Sequence, residues 1–194
     1  MLEFLNNLDT QLFIFLNGIN SPFWDVVMRW ISGSKSWIPM YLVIVAYIVY
    51  KFRWKAIITL VFIALVVTLA DQISVKAFKE VFERLRPCHN PELQDIVHLV
   101  KNKCGGKYGF VSSHAANTFG VAFFLSLFFK NRNFSIFIFI WASVVSYSRI
   151  YLGVHYPFDV LGGAILGSVI GYFVYLLHNF TLQKVSKHFK SVKL

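Results

Sequence analysis

Residues 160–183 read VLGGAILGSVIGYFVYLLHNFTLQ, a stretch of 24 residues without an Asp, Glu, Lys or Arg. A transmembrane α-helix needs about 20 mainly apolar residues, so this stretch is long enough to cross a bilayer. Gly163, Gly167 and Gly171 recur at every fourth residue. Small residues at this spacing let two helix backbones approach closely. The pattern predicts close packing of this helix, within the chain or against a second copy, with packing inside the bundle the favoured reading.

Four further segments without acidic or basic residues precede this one, at 36–50, 56–70, 108–129 and 133–148. Several of them are shorter than a full span. Flanking Trp, Tyr, Lys and Arg side chains can anchor such a helix at the membrane interface. Together the five segments predict five transmembrane helices.

Residues 1–33 fit this pattern less well. The apolar run that starts at Leu12 is short, and Gly18 and Pro22 interrupt it. We expect an interfacial or re-entrant pair of helices here, with a sixth, kinked span as the alternative. The predicted fold class is therefore all-α, an integral-membrane helical bundle of five to six transmembrane helices that forms a single domain, 1–194.

The composition agrees with a chain that lies largely in lipid. Of the 194 residues, 57% are hydrophobic and 14% are charged, and the mean hydropathy is +0.59. These values argue against a soluble enzyme, a disordered chain and a collagen-like repeat. In a soluble protein the net charge of +10 would suggest a nucleic-acid partner. In a membrane chain, basic loops and anionic lipid headgroups account for it, so we expect no nucleic-acid partner.

The basic residues also predict the orientation of the bundle. Nine of them, with no acidic residue among them, follow alternate helices in the loops at 51–55 and 130–132 and in the tail at 179–194. By the positive-inside rule this side is cytoplasmic, so the 76–107 loop lies outside. Cys88 and Cys104 fall in that loop, 16 positions apart. A disulfide between them is predicted, because such a compartment permits one; the alternative is two free cysteines.

Three polar clusters lie at helix ends that an up-and-down bundle of five helices places on the same side of the membrane. They occupy 79–87, 111–114 and 148–159. Polar residues at membrane depth cost free energy, so their presence suggests a function. Lys79, Arg86 and Arg149 are cations that can bind phosphate oxygens.

The second and third clusters add groups that suit phosphoryl transfer. Ser112 and Ser113 open a helix, where backbone N–H groups favour an anion. His155 and Asp159 are four residues apart, so on a helix they face the same way, and the carboxylate can orient the imidazole for nucleophilic attack. His114 is a second imidazole that could protonate a leaving oxygen. Each feature alone has an ordinary structural explanation, but their occurrence on one membrane side points to a phosphate site.

In order and spacing, the clusters resemble the signature of the type 2 phosphatidic acid phosphatase superfamily, a family of membrane lipid phosphatases. The motifs K-x6-R-P and S-R-x5-H-x3-D are matched in full by Lys79, Arg86, Pro87, Ser148, Arg149, His155 and Asp159. The motif P-S-G-H is matched in part, because Val111 replaces the Pro and Ser113 replaces the Gly. Ser113 adds a side chain where Gly usually allows the backbone to approach the phosphate.

The resemblance implies a role for each of these residues. His155 would attack phosphorus and form a phosphohistidine, Asp159 would orient it, and His114 would protonate the leaving group. The phosphoryl oxygens would be held by Lys79, Arg86, Ser112, Ser113 and Arg149. No metal and no cofactor is implied.

The implied function is a membrane-embedded lipid phosphatase that hydrolyses a phosphomonoester or pyrophosphate of a membrane lipid. Its active site would face the periplasm or exterior of the cell (inner) membrane. Phosphatidic acid, phosphatidylglycerol phosphate, undecaprenyl pyrophosphate and a lipid A phosphate all fit as substrates. The alternatives are a non-catalytic lipid-binding or transport protein with the same phosphate cradle, and a haloperoxidase-like use of the pocket with vanadate. The sequence leaves the lipid and the oligomeric state open.

Overall fold

The computed structural model describes residues 2–191, and side chains from residue 3 to residue 187. The last part of the predicted basic tail, 192–194 with Lys193, lies outside the described residues, as does the side chain of Lys190. The described residues form these α-helices: α1 (Leu2–Gly18), α2 (Pro22–Ser32), α3 (Ile38–Phe52), α4 (Lys55–Ile73), α5 (Glu80–Phe82), α6 (Ser113–Phe129), α7 (Arg132–Tyr151) and α8 (Pro157–Ser191). The predicted all-α class is confirmed.

The apolar segments predicted from the sequence fall on α3, α4, α6, α7 and α8. Three helical stretches are long and apolar enough to cross a membrane: Lys55–Phe82, Arg132–Tyr151 and Pro157–Lys187. The helices at Pro22–Ser32 and Ser34–Phe52 qualify as a pair, but they are bent by 69° at the break between them. The apolar helix α6 has 17 residues. The described residues therefore contain three such spans, or four with the bent pair, and the number five to six stays a prediction.

The segment between α4 and α6 differs from the predicted loop at 76–107. Helix α4 runs on through a π-helical turn, Ser74–Lys79, into α5, so the loop begins only after Phe82. At its other end, Tyr108 and Gly109 are extended, because they pair with the chain around Arg84. The Gly109 N–H donates to the Arg84 carbonyl at 2.8 Å, and Leu85 forms an isolated bridge with Tyr108. Helix α6 consequently starts at Ser113, later than the apolar segment suggests.

The glycine series of α8 packs against α6 of the same chain. A Cβ atom at Gly163, Gly167 or Gly171 would overlap the backbone carbonyl of a residue on the facing segment, namely Ser112, Ala116 or Gly120. Only glycine allows the two backbones to come so close. The spacing noted in the sequence therefore serves packing inside the bundle.

The two N-terminal helices pack on the end of α7 and on the loop before α6. The side-chain amide of Asn17 donates to the backbone carbonyls of Ile150 and Tyr151, at 3.2 and 2.8 Å. Asp25 accepts a hydrogen bond from the Tyr151 hydroxyl at 2.8 Å and lies 2.8 Å from Nε2 of His98. These contacts hold α1 and α2 against the side of the bundle that carries the three polar clusters.

Candidate active site

The three polar clusters meet at one end of the bundle. The Lys79 ammonium donates to the Ser113 hydroxyl at 2.6 Å, which joins the first cluster to the second. The Ser112 N–H donates to the Asp159 carbonyl at 2.9 Å, which joins the second to the third. The structure thus brings together residues that lie up to 80 positions apart in the sequence.

His155 and Asp159 form the buried floor of this site. His155 lies in the short connection between α7 and α8, and Asp159 lies in the first turn of α8; the two residues are at most 1% exposed. Nδ1 of His155 is 3.4 Å from Oδ2 of Asp159, and the same oxygen accepts the Tyr156 N–H at 3.0 Å. The carboxylate therefore faces Nδ1, which leaves Nε2 as the nitrogen for an incoming group.

The imidazole of His155 is held in its neutral form. Burial, followed by the positive charges of Arg86, Arg149 and Lys79, lowers its pKa well below the ordinary value of 6.5. A neutral imidazole has a lone pair for attack, whereas an imidazolium has none. The same cations that would attract a phosphate therefore also keep His155 nucleophilic.

Lys79 and the serines line the edge of the site on the α4–α6 side. Lys79 closes the π-helical turn, a rare element that is frequent at functional sites. Its partner Ser113 is also 2.7 Å from the hydroxyl of Ser74, so the residue that replaces the usual Gly is engaged in a polar network. The hydroxyl of Ser112 is buried without a partner among the described residues. It is free to donate to a phosphoryl oxygen.

The two arginines are held by partial sets of hydrogen bonds. Arg86 donates from Nε to the Tyr108 carbonyl at 3.2 Å and from Nη1 to the Cys104 carbonyl at 3.4 Å. Arg149 donates from Nη1 to the Ser32 hydroxyl at 2.5 Å, and its Nε has no partner among the described residues. Each guanidinium has five N–H donors, so both keep donors for an anion.

His114 stands in the first turn of α6, directly after the two serines. The preceding residue, Ser113, accepts the hydrogen bond from Lys79, so His114 lies beside the phosphate cradle. It also lines an apolar cavity that extends into the bundle. His114 is thus the link between the polar site and the membrane interior.

Sequence reasoning missed two charged residues that support the floor of the site. Arg84 donates from Nη1 to Oδ1 of Asp159 at 2.9 Å and from Nη2 to Oδ2 of Asp9 at 2.7 Å. The other oxygen of Asp9 accepts the Phe158 N–H at 2.8 Å. Arg84 occupies an unspecified position of the first motif, and Asp9 lies in the ambiguous N-terminal segment. The sequence pattern therefore marked neither residue as part of the site.

Gly109 is a third missed residue. A Cβ atom there would lie 2.9 Å from Oδ2 of Asp159 and 3.6 Å from Nδ1 of His155. Any other residue at this position would therefore displace the side chains of Asp159 and His155. The glycine gave no sign in the sequence, because it belongs to none of the three motifs.

A disulfide between Cys88 and Cys104 closes the loop next to the site, with Cα atoms 5.9 Å apart. It lies beside Arg86, which donates to the Cys104 carbonyl. Among the described residues, no group of three or more His, Cys, Asp or Glu side chains is arranged to hold a metal ion.

Comparison with known proteins shows the family to which the chain belongs. The family model of the PAP2 superfamily, the type 2 phosphatidic acid phosphatases, matches residues 56–182. The chain belongs to this superfamily. It is 46% identical over 187 residues to a lipid A 4'-phosphatase of Bacteroides thetaiotaomicron, with 94% of this chain and 83% of that protein covered. It is 35% identical over 178 residues to a lipid A 4'-phosphatase of Porphyromonas gingivalis, with 91% and 75% covered.

Among solved structures, a transmembrane PAP2-type phosphatidylglycerolphosphate phosphatase from Bacillus subtilis has the same fold. The TM-score is 0.68 at 24% identity, with 93% of this chain and 87% of that chain covered. The predictions of a PAP2-type fold and of a membrane lipid phosphatase, an enzyme that hydrolyses phosphoric ester bonds, are confirmed.

Proposed function

We propose that this PAP2 phosphatase removes a phosphate monoester from the sugar of a lipid A type glycolipid. The observation that carries the proposal is the similarity to two proteins named lipid A 4'-phosphatase, which extends over 94% and 91% of this chain. The similarity extends into the N-terminal part of the chain, outside the matched family model. We therefore treat 1–194 as one functional domain.

In the proposed reaction, Nε2 of His155 attacks phosphorus and the bond from phosphorus to the sugar oxygen breaks. Asp159 faces Nδ1 and stabilises the imidazolium that forms as the nitrogen bonds to phosphorus. Lys79, Arg86 and Arg149 neutralise the charge that develops on the phosphoryl oxygens, and the Ser112 hydroxyl donates to them. The Ser113 hydroxyl, which accepts from Lys79 and contacts Ser74, holds the Lys79 ammonium in place. No metal ion is needed, because these groups supply the positive charge.

His114 completes the proposed cycle as acid and then as base. Its imidazolium form, which the negative charge of a bound phosphate favours, gives a proton to the leaving sugar oxygen, which departs as an alcohol. The neutral imidazole then takes a proton from a water molecule, which attacks the phosphohistidine. The bond between Nε2 and phosphorus breaks, inorganic phosphate leaves, and His155 returns to its neutral form.

We also propose that the active site faces the periplasm or exterior, with the C-terminus in the cytoplasm. The support is a set of basic residues without acidic neighbours in the loops at 51–55 and 130–132 and at the end of α8, at Lys184 and Lys187, which lie opposite the site, together with a disulfide on the site side. A substrate in the outer leaflet would then present its phosphate at the level of the three polar clusters.

The direct test is incubation of the detergent-solubilised protein with bisphosphorylated lipid A. We expect release of one phosphate, and fragmentation in the mass spectrometer should locate the loss on the 4' position. His155→Asn is the inactive control, because its side chain is polar but cannot form a phosphohistidine. Phosphatidic acid and undecaprenyl pyrophosphate are assayed in parallel. Faster turnover of either of these two, with lipid A left intact, would overturn the proposed substrate.

A further inference from the structure

The π-helical turn Ser74–Lys79 brings its first and last residues to one side chain on α6. The hydroxyls of Ser74 and Ser113 lie 2.7 Å apart, and the Lys79 ammonium donates to the Ser113 hydroxyl at 2.6 Å. Residues five apart on an α-helix point in different directions, because each residue turns the helix by about 100°. In a π-helix the hydrogen bonds join residue i to residue i+5, so two such residues lie nearly one above the other. The π-helical turn is therefore what allows Ser74 and Lys79 to meet at Ser113.

The hydrogen bonds of this group run in one direction. The carbonyl of Asp71 can only accept, so the hydroxyl hydrogen of Ser74 is used in the bond of 2.8 Å between them. Ser113 is then the donor to Ser74, and its oxygen accepts from Lys79. Because Ser113 has a single hydroxyl hydrogen, it has none left for a phosphoryl oxygen while these bonds are in place. The neighbouring hydroxyl of Ser112, which has no partner among the described residues, keeps its hydrogen for that purpose.

We propose that Ser74 is a positioning residue for the phosphatase reaction: it orients the Ser113 hydroxyl, which in turn fixes the Lys79 ammonium at the phosphate. Ser74 is 0% exposed, so bulk water does not compete for its hydroxyl. A lysine ammonium is a point charge on a flexible stem, and a fixed partner gives it a defined place. A Gly instead of Ser113, as in the family motif, would offer a hydroxyl to neither residue. This inference rests on the role of Lys79 in the proposed function, and not on which lipid is the substrate.

The test is steady-state kinetics of the detergent-solubilised protein on whichever of the lipid phosphates assayed above the wild type hydrolyses fastest. Ser74→Ala should lower kcat by about 10-fold with little change in KM, because a misplaced group loses much of its effect on the transition state. Ser113→Gly should lower kcat by at least as much. The double variant should be no slower than Ser113→Gly alone, because Ser74 acts on Lys79 only through Ser113. Wild-type kcat in Ser74→Ala, or losses that multiply in the double variant, would overturn the inference.

Inhibition by orthovanadate separates positioning from a loss of folded protein. Vanadate adopts the trigonal-bipyramidal geometry of phosphorus under attack, so its inhibition constant reports how well the assembled site binds the transition state. This constant does not depend on how much of the sample is folded. It should rise in Ser74→Ala by about the factor by which kcat falls. An unchanged constant together with a lower kcat would show that Ser74 has only a structural role.

Ser135→Ala is the matched control. Ser126 and Ser135 form another pair of hydroxyls between two helices, at 2.6 Å, and Ser135 likewise donates to a backbone carbonyl, that of Asn131, at 2.9 Å. This pair lies towards the other end of α6, so its loss should leave kcat and the vanadate constant unchanged. A fall in kcat as large as that of Ser74→Ala would overturn the specific role of Ser74.

Lys79→Gln distinguishes failure of the inference from failure of the proposed function. It should be slower than Ser74→Ala, because it removes the charge itself. If Lys79→Gln is slow and Ser74→Ala is not, the inference alone is wrong. If Lys79→Gln keeps the wild-type kcat, or if the wild type releases phosphate from none of the lipids, the proposed function fails and the inference falls with it.

Discussion

Arg84 donates a hydrogen bond of 2.9 Å to Oδ1 of Asp159, the carboxylate that faces the proposed nucleophile. The other arm of the same guanidinium binds Asp9 of α1, and its Cζ lies over the ring of Tyr156, 4.2 Å from the ring centre. Asp159 thus has its two oxygens fixed by different partners, one by Arg84 and one by the Tyr156 N–H. The N-terminal helix is in this way connected to the floor of the active site through Arg84, in addition to the hydrogen bond from the Phe158 N–H to Asp9.

This connection predicts that Arg84 acts as a positioning residue. Arg84→Gln should lower kcat by about 10²-fold with little change in KM, because Asp159 loses a fixed partner and the imidazole loses its orientation. Arg84→Lys should retain more activity, since one amine can still reach one carboxylate. Asp9→Asn should have a smaller effect than Arg84→Gln, because the Asn oxygen can still accept the Phe158 N–H.

The measurement is steady-state kinetics on a lipid monophosphate, with the thermal midpoint of each variant recorded alongside. Arg132→Gln, which removes an exposed arginine at the opposite end of α7, is the control. A loss of thermal stability in Arg84→Gln without a fall in kcat would show a merely structural role.

The two histidines should differ in how much the leaving group matters. His155→Ala should abolish turnover of every substrate, because no phosphohistidine can form. His114→Ala should slow a lipid monophosphate by about 10²–10⁴-fold, the usual contribution of a general acid. It should slow p-nitrophenyl phosphate much less, because a phenolate leaves without a proton.

Rates on both substrates for the same two variants decide this assignment. The rate of Asp159→Asn should lie between the rates of His155→Ala and His114→Ala, since this change misorients the imidazole but keeps the nucleophile. An equal loss on both substrates in His114→Ala would show that His114 is not the acid for the leaving group.

The disulfide between Cys88 and Cys104 should stabilise the loop that presents Arg86. A closed loop of this size contributes about 3 kcal/mol in the chain-entropy account, so reduction should lower the thermal midpoint. The double variant Cys88→Ser with Cys104→Ser should start from the lower midpoint and show no response to reductant. Two thiols that can be alkylated in native, non-reduced protein would contradict the bond.

Membrane orientation is the next expectation. A C-terminal reporter that is active only in the cytoplasm should give signal, because the acid-free basic loops lie on the side opposite the site. A reporter that is active only in the periplasm, inserted after Glu92 in the exposed loop, should give signal as well. The reverse pattern would place the active site in the cytoplasm.

The sequence predicted those features that depend on local spacing. The helical segments follow from uninterrupted apolar runs, and the pairing of His155 with Asp159 follows from four positions at a helix start. Contacts between distant segments could not be predicted in this way, because no local spacing marks them. Arg84 and Asp9 are 75 positions apart, and their ion pair depends on how α1 folds back against α8.

The π-helical turn at Ser74–Lys79 was equally invisible, because its residues read as an ordinary helix end.

The central claim is that His155 carries the phosphoryl group during turnover, and trapping that intermediate tests it most directly. The enzyme is mixed with a lipid phosphate labelled with ³²P, quenched in alkaline detergent within the first turnover, and digested for peptide mapping. The account predicts label on the peptide that contains His155, stable to alkali and lost in acid, with a longer lifetime in His114→Ala and none in His155→Ala. Label on another residue, or phosphate release by His155→Ala at the wild-type rate, would contradict it.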